Sequence, residues 1–366
     1  MISDRTPIAP MGPIATATPP GILDVERSME IADLLTPAEV PRPVLRRLHE
    51  RSGIDRRHAA VVEPDGSIPI YGIGAPGEAS GPRRPGTRER MAVYHRAASD
   101  LATEAAAAAL EASGTAIESI THLVTASCTG FGAPGADLEI VRRLGLPASV
   151  RRTNVGFMGC HAAVNALAAA RAYALEDPSH VVLVVTVEVS TVHFHHDTRM
   201  DRLISNILFA DGAASTVVGG PARRDAAGGL LGTASHVIPE SHEAMAWEVG
   251  DHGFEMTLAA EVPDRIAASL GAWVDDVLGR AALDRGSVGG WAIHPGGPRV
   301  IDAVRTALDL PDGADEASRG ILRTRGNMSS STLLHILERF QQDRIPRPWV
   351  GLAFGPGLTG ELVLLT

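Results

Sequence analysis

The sequence predicts an α/β fold assembled from two copies of one strand–loop–helix unit, and three observations carry that prediction. The run Val181-Val-Leu-Val-Val-Thr-Val-Glu-Val189 is continuous strand-type sequence, the pattern of a strand buried on both faces of a sheet. Strand patterns alternate with Ala/Leu-rich helical patterns along most of the chain, the order of α/β units. Finally, one order of elements occurs twice. A short strand runs into a Gly/Pro loop with a reactive side chain at Cys128 and again at His294, and a Gly-led helix start follows at Cys160 and at Asn327. The two separations are 32 and 33 positions. Packed about a pseudo-twofold, the copies would bring these four residues to related loop and helix-start positions.

Taken in order, residues 1–13 are Pro-rich and predict a loose leader. Pro13 to Thr18 reads as a first strand, stopped by Pro19-Pro20-Gly21. A helix is predicted over 38–52, where Arg46, Arg47 and Arg51 take neighbouring helical positions. Such a cluster is either a solvated face or a cradle for phosphates. Residues 63–87, dense in Gly and Pro, predict a long surface loop. Arg88 to Ser113 is helical by propensity, and Gly114 ends it. A strand over Ser119–Ser127 leads to the Cys128 loop, and Asp137 to Leu144 is a short helix ended at Gly145. After the Cys160 helix and the Val181 strand, Asp211-Gly212 turns the chain into another buried strand ending at Val218. The second copy runs from the strand Gly290–Ile293 through a helix over Arg299–Leu310. A helix opened at Gly326-Asn327 ends near Gln342, and the strand Trp349–Phe354 closes the unit. The expected division is a leader (1–13), an N-terminal half (14–222) and a C-terminal half (223–366).

Composition narrows the function. The chain has 366 residues, 45% of them hydrophobic, enough for one large or two medium domains. Acidic residues outnumber basic ones, 43 to 33, which disfavours a general nucleic-acid partner. Two cysteines make no disulfide framework and fit a reducing compartment. The N-terminus lacks an apolar core long enough for a signal peptide, and the longest aliphatic run, Val181 to Val189, is too short for a membrane span, so the expected location is the cytoplasm. His193-Phe-His-His-Asp197 invites a metal reading, but alternation separates the histidines and no zinc-type spacing accompanies them. They are read as loop or pocket-lining residues, with no metal.

The chemistry centres on Asn154-Val-Gly-Phe-Met-Gly-Cys160, which runs straight into the helix beginning His161-Ala-Ala. Unpaired N–H groups and partial positive charge at a helix N-terminus favour the thiolate, which is the nucleophile. The competing reading is a buried, inert thiol. A cysteine, a histidine and an asparagine at related positions suit acyl transfer. Cys160 would attack a thioester carbonyl and hold the acyl group. His294 would stabilise the thiolate and, with the Asn327 amide, donate to a developing oxyanion. Papain-like proteases use the same three residue types, although nothing here resembles the sequence around their cysteine. Loop and helix-cap roles for His294 and Asn327 also stand open at this level.

With these residues, the chain resembles the type III polyketide synthases, the chalcone-synthase-like enzymes of the thiolase superfamily. The resemblance covers nearly everything from residue 14 onward. It is carried in order by Pro134-Gly-Ala-Asp137, Gly159-Cys160, Leu208-Phe-Ala-Asp-Gly-Ala-Ala214, Ile293-His-Pro-Gly-Gly-Pro298, Gly326-Asn-Met-Ser-Ser330 and Phe354-Gly-Pro-Gly-Leu-Thr359. It implies a thiolase fold of two pseudo-twofold βαβαβαββ halves in five αβαβα layers, and a homodimer. The implied activity is iterative condensation of malonyl-CoA onto an acyl-CoA starter, with cyclisation to a pyrone- or resorcinol-type product and no cofactor beyond the CoA thioesters. It assigns Cys160 as nucleophile and His294 and Asn327 as the decarboxylation and oxyanion pair. Phe209 corresponds to the gating phenylalanine, Ser329 to a cavity residue, and Gly355-Pro356-Gly357 to the loop shaping the cyclisation pocket. Arg47 and Arg51 fall where the family binds CoA phosphates, with Val44 at a third such position.

The departures are informative too. Met256 replaces the second gating aromatic, and His193 and Trp247 stand where plant enzymes have small cavity residues. Such bulk predicts a smaller or redirected pocket. Ala133 stands for the methionine that crosses the plant dimer, and Cys128 for a second cavity cysteine of many bacterial members. The alternative is a single-step condensing enzyme of the ketoacyl-ACP synthase III or hydroxymethylglutaryl-CoA synthase type.

Overall fold

A computed structural model of the chain describes residues 7–220 and 228–366. The expected boundary at 222/223 falls outside the described residues. The N-terminal strands are β1 (Ala9–Pro10), β2 (Ala15–Ala17) and β3 (Ile22–Asp24), followed by helices α1 (Val25–Leu35) and α2 (Arg42–Ser52) and by β4 (Arg56–His58). The long helix α3 (Thr87–Ser113) precedes β5 (His122–Ser127), α4 (Ala136–Leu144), β6 (Arg151–Gly156), α5 (Ala162–Glu176), β7 (Val181–Val189), α6 (Met200–Leu208) and β8 (Asp211–Gly219). Then come β9 (Gly229–Val237), the hairpin β10 (Met245–Gly250) and β11 (Gly253–Leu258), and α7 (Val262–Arg280). The chain closes with β12 (Gly290–Ile293), α8 (Pro298–Ala307), α9 (Glu316–Arg325), α10 (Ser331–Gln342), β13 (Trp349–Gly355) and β14 (Thr359–Leu365).

Two five-stranded sheets hold these elements, in the orders β2-β8-β7-β5-β6 and β1-β9-β14-β13-β12. The duplication is visible in their pairing. β2–β8 and β8–β7 are antiparallel and β7–β5 is parallel, and β9–β14, β14–β13 and β13–β12 repeat that pattern. The strands before Cys128 and before His294 therefore hold equivalent places. The first sheet adds β6 at one edge, and the second adds β1 at the other.

The layers follow from which faces are apolar. α5 and α10 are buried between the sheets, where Ala162, Ala163, Ala166 and Ala170 meet Leu333, Ile336 and Leu337. Small alanines let both sheets approach the central helix, since interiors are close-packed. α3 covers the outer face of the first sheet, and α7 and α8 cover that of the second. The result is the five-layer αβαβα thiolase arrangement. β7 is buried at all nine positions, as its unbroken pattern requires.

Two local expectations are corrected. The described part of the leader is not loose: Ala9 and Met11 are buried, and β1 pairs with β9 in the C-terminal sheet. Residues 63–87 lack long elements but are pinned to the core by Ile68, Tyr71 and Ile73, whose apolar area outweighs the Gly/Pro bias toward exposure. Among the described residues no helix is long and apolar enough to cross a membrane.

Candidate active site

The loops that carry Cys128, Cys160, Ser329 and Pro356 meet at one place. The first-sheet chain leaves β6 through Phe157 (φ 56°) and Gly159 (φ 71°) into a 3₁₀ turn over Gly159–His161, and α5 follows at once. Cys160 is the middle residue of that turn and is half-buried. Gly159 cannot carry a side chain: its Cβ would lie 2.3 Å from Pro356 Cδ. The Gly-Cys and Gly-Pro-Gly motifs are thus two sides of one close approach.

Ser329 links the rest. Its hydroxyl lies 3.0 Å from Cys128 Sγ and donates to Cys160 Sγ at 3.5 Å. Its backbone N–H donates to Asn327 Oδ1 at 2.8 Å, which leaves the Asn327 NH₂ as the free donor end of that amide. Asn327 is also clamped by the chain that carries Phe209: its N–H donates to Leu208 O, and Ala210 N–H donates to Asn327 O. His294 directly follows β12 with its N–H on Leu352 O, and both ring nitrogens are buried without a protein partner. Burial, together with the nearby His161, pushes its pKa down to about 3, so the ring is neutral. The nucleophile candidate and Asn327 are therefore joined through Ser329, and His294 stands within electrostatic range of the residue next to Cys160.

Burial works against the ionisation of Cys160 that the helix start favours. Burial pushes its thiol up to about 12, the Ser329 hydrogen bond pulling the other way and the Glu188 charge adding to the rise. A helix end is worth at most about 2 kcal/mol, whereas each pKa unit costs about 1.4 kcal/mol. Desolvation wins in the resting site. The Cys128 thiol is raised further by burial and by Glu188.

Cys128, Cys160, Phe209, Trp247, Met256, Ser329 and Pro356 line one cavity of about 30 Å³. Trp247 and Met256 face each other across the β10–β11 hairpin, and Trp247 Nε1 donates to Cys128 O at 2.7 Å. His193 stands one layer back. It stacks on Phe254 at 4.3 Å, with Nε2 on Thr129 O and Nδ1 accepting from Phe254 N. Gly355 ends β13, and the Gly357 N–H donates to Met245 O, tying the loop to the hairpin. Arg47 and Arg51 lie exposed on α2, which packs on α6, the helix that leads into Phe209. Neither guanidinium has an ion-pair partner among the described residues.

Sequence reasoning missed Glu188. This buried carboxylate accepts from Cys128 N at 3.0 Å, Thr129 N at 3.1 Å, Thr129 Oγ1 at 2.7 Å, the Cys128 thiol and Ser330 Oγ. Burial raises its pKa, and the hydrogen bonds oppose the rise. Its signal was present as the one acidic residue inside an apolar strand, since a charge is not buried without partners.

Comparison with known proteins accords with this geometry. The family model for the N-terminal domain of chalcone and stilbene synthases matches residues 75–222, and the model for their C-terminal domain matches 230–366. The chain is 35% identical over 342 residues to a 1,3,6,8-tetrahydroxynaphthalene synthase of Streptomyces peucetius, covering 92% of this chain and 86% of that one. It is 30% identical to an alpha-pyrone synthesis polyketide synthase-like protein of Mycobacterium tuberculosis, covering 98% and 91%. Among solved structures, PKS-I of the brown alga Ectocarpus siliculosus superposes with a TM-score of 0.90 at 27% identity, covering 99% of each chain.

Proposed function

The chain belongs to the chalcone and stilbene synthase family, the type III polyketide synthases, and from that premise we propose how its own residues divide the work of iterative malonyl-CoA condensation on an acyl-CoA starter. The observation that carries the assignment is the Ser329 bridge between Cys160 Sγ and Asn327, beside a buried neutral histidine with no partner. Oriented donors without protein partners suit a substrate carbonyl.

Cys160 Sγ attacks the starter thioester carbonyl with His294 stabilising the charge that develops on sulfur. The carbon–sulfur bond to CoA breaks, and the thiol proton passes to the leaving CoA sulfur. The malonyl thioester carbonyl then lies between a His294 N–H and the Asn327 NH₂. Its carbon–carboxylate bond breaks, CO₂ departs, and the electron pair forms an enolate whose oxygen those two donors hold. The enolate carbon attacks the Cys160-bound acyl carbon and expels the Cys160 thiolate. Arg47 and Arg51, exposed and unpaired on α2, take the CoA phosphates. CoA thioesters are the only small molecules this scheme requires.

Trp247 and Met256 set the product. Their side chains narrow the cavity beside Cys160 to about 30 Å³, room for a water or two, so they would have to move for the growing chain to enter. We read the product as a pyrone- or resorcinol-type ring, in keeping with the relative named for alpha-pyrone synthesis. The single-step alternative is not favoured, because the matching family models are those of chalcone and stilbene synthases. Two further proposals concern the protein's setting. The half-exposed Phe131, with Phe157 and Met158 beside the β6 edge, supports a homodimer through this face. Two unpaired cysteines support a reducing, cytoplasmic location. Incubation with malonyl-CoA and a panel of acyl-CoAs, read by mass spectrometry, tests the reading; strict dependence on an acyl carrier protein would overturn it.

A further inference from the structure

One buried polar chain near the nucleophile has no part in the scheme above. His161, directly after Cys160 in the same 3₁₀ turn, is 2% exposed. Its Nδ1 is 2.8 Å from Asn165 Oδ1, one turn along α5. Asn165 Nδ2 donates to Glu361 Oε1 of β14 at 3.2 Å, and the exposed Ser235 of β9 donates to Glu361 Oε2 at 2.8 Å. Hydrogen-bond polarity runs one way along this chain. A carboxylate only accepts, so Asn165 must turn its NH₂ to Glu361 and its carbonyl to His161. The carbonyl only accepts as well, so His161 must carry its proton on Nδ1.

The other edge of the imidazole meets the cyclisation loop. A Cβ at Gly355 would lie 2.4 Å from His161 Cδ2 and 2.8 Å from Nε2, so this backbone rests directly on the ring. Beside it, Gly159 packs as closely on Pro356. The ring is thus wedged between the Cys160 turn and the Gly355-Pro356 loop, and it faces His294 electrostatically.

We infer that Glu361, acting through Asn165, fixes His161 in its Nδ1–H tautomer, and that this ring is the seat registering Cys160 against the Gly355-Pro356 loop. Glu361, Asn165 and His161 are positioning residues: they orient the nucleophile and touch no substrate. The inference rests on Cys160 being the nucleophile. Burial lowers the His161 pKa, which keeps the ring neutral and its tautomer meaningful at neutral pH.

The test uses the full chain labelled with ¹⁵N-histidine, with proton–nitrogen correlation spectra of the rings and steady-state kinetics. The His161 signals are assigned by their loss in His161→Asn. The wild type should show His161 protonated on Nδ1, and Asn165→Leu and Glu361→Gln should mix or reverse the tautomer. In these variants kcat should fall by roughly tenfold to a hundredfold, the cost of a small misplacement of reacting groups, with KM for malonyl-CoA within about twofold. His161→Asn, whose amide can still donate to Asn165, should keep more kcat than His161→Leu. An Nε2–H tautomer in the wild type, or unchanged kcat in both relay variants, would overturn the inference. Should Glu361→Gln fail to fold, the wild-type tautomer and Asn165→Leu decide it. A wild-type enzyme that never carries an acyl group on Cys160 would overturn the functional reading instead, a result the tautomer spectrum does not share.

Discussion

Cys160 holds its sulfur where burial favours the neutral thiol, so reactivity has to come from its partners when substrate enters. His294 is neutral and neither of its ring nitrogens has a protein partner, so it is free to hydrogen-bond the sulfur or the substrate. Cys160→Ala should therefore abolish chain extension, and retained condensation would refute the nucleophile assignment. Asn327→Ala should chiefly slow malonyl decarboxylation, followed as CO₂ release, by about a hundredfold, the scale for losing one oxyanion donor; CO₂ release at the wild-type rate would remove Asn327 from that role. Trp247 fills the cavity wall with an indole tied to Cys128 O. Trp247→Gly should lengthen or redirect the product, and an unchanged product profile would discard the cavity argument. The bulk of Trp247 was legible from its position in the sequence. That His193 stands behind it was not, because a residue's layer depends on how the hairpin folds over it.

At the scale of elements, the strands and helices with strong patterns were readable: β7 from its apolar run, α3 from alanine propensity, and the paired copies from order and spacing. The weakly patterned ones were not. The β10–β11 hairpin carries Trp247 and Met256, yet β10 is only half-buried and has no clean alternation. Its position is set by pairing and by the contact of Gly357 with Met245, both non-local. Glu188 was hidden for a related reason, since its donors come from two distant segments, residues 127–129 and Ser330. The element proposed to meet CoA is α2, which carries the exposed Arg47 and Arg51 and packs on the helix leading to Phe209. Arg47→Ala with Arg51→Ala should raise KM for acyl-CoA several-fold, leave kcat nearly unchanged, and weaken the dependence of KM on salt. A fall in kcat at constant KM would place CoA elsewhere.

The whole molecule is two sheets around a helical centre, with several ionisable side chains sealed inside. His193 and His294 are held near a pKa of about 3 and His195 near about 4, each by burial, against an ordinary value of 6.5. These folded-state values are depressed, so above pH 6.5 the rings are neutral in both states and cost nothing. As pH falls below 6.5 the unfolded chain gains protons that the folded chain refuses, and stability drops. Asp211, raised to about 6 by burial, opposes part of that loss. Each histidine contributes roughly 2 kcal/mol by pH 5, so the denaturation midpoint should be clearly lower at pH 5 than at pH 7; an equal or higher midpoint would show these rings to be hydrated. The proposed dimer is checked by sedimentation, where Phe131→Asp should yield monomers if that face is the interface. The central claim is that the chemistry passes through an acyl group on Cys160, and the most direct measurement is mass spectrometry of the Cys160 peptide after brief exposure to acyl-CoA. The account predicts a mass increase of one acyl group on that peptide, absent in Cys160→Ala and discharged on adding malonyl-CoA. Product formation with the Cys160 peptide unmodified, or with the acyl group on Cys128, would contradict it.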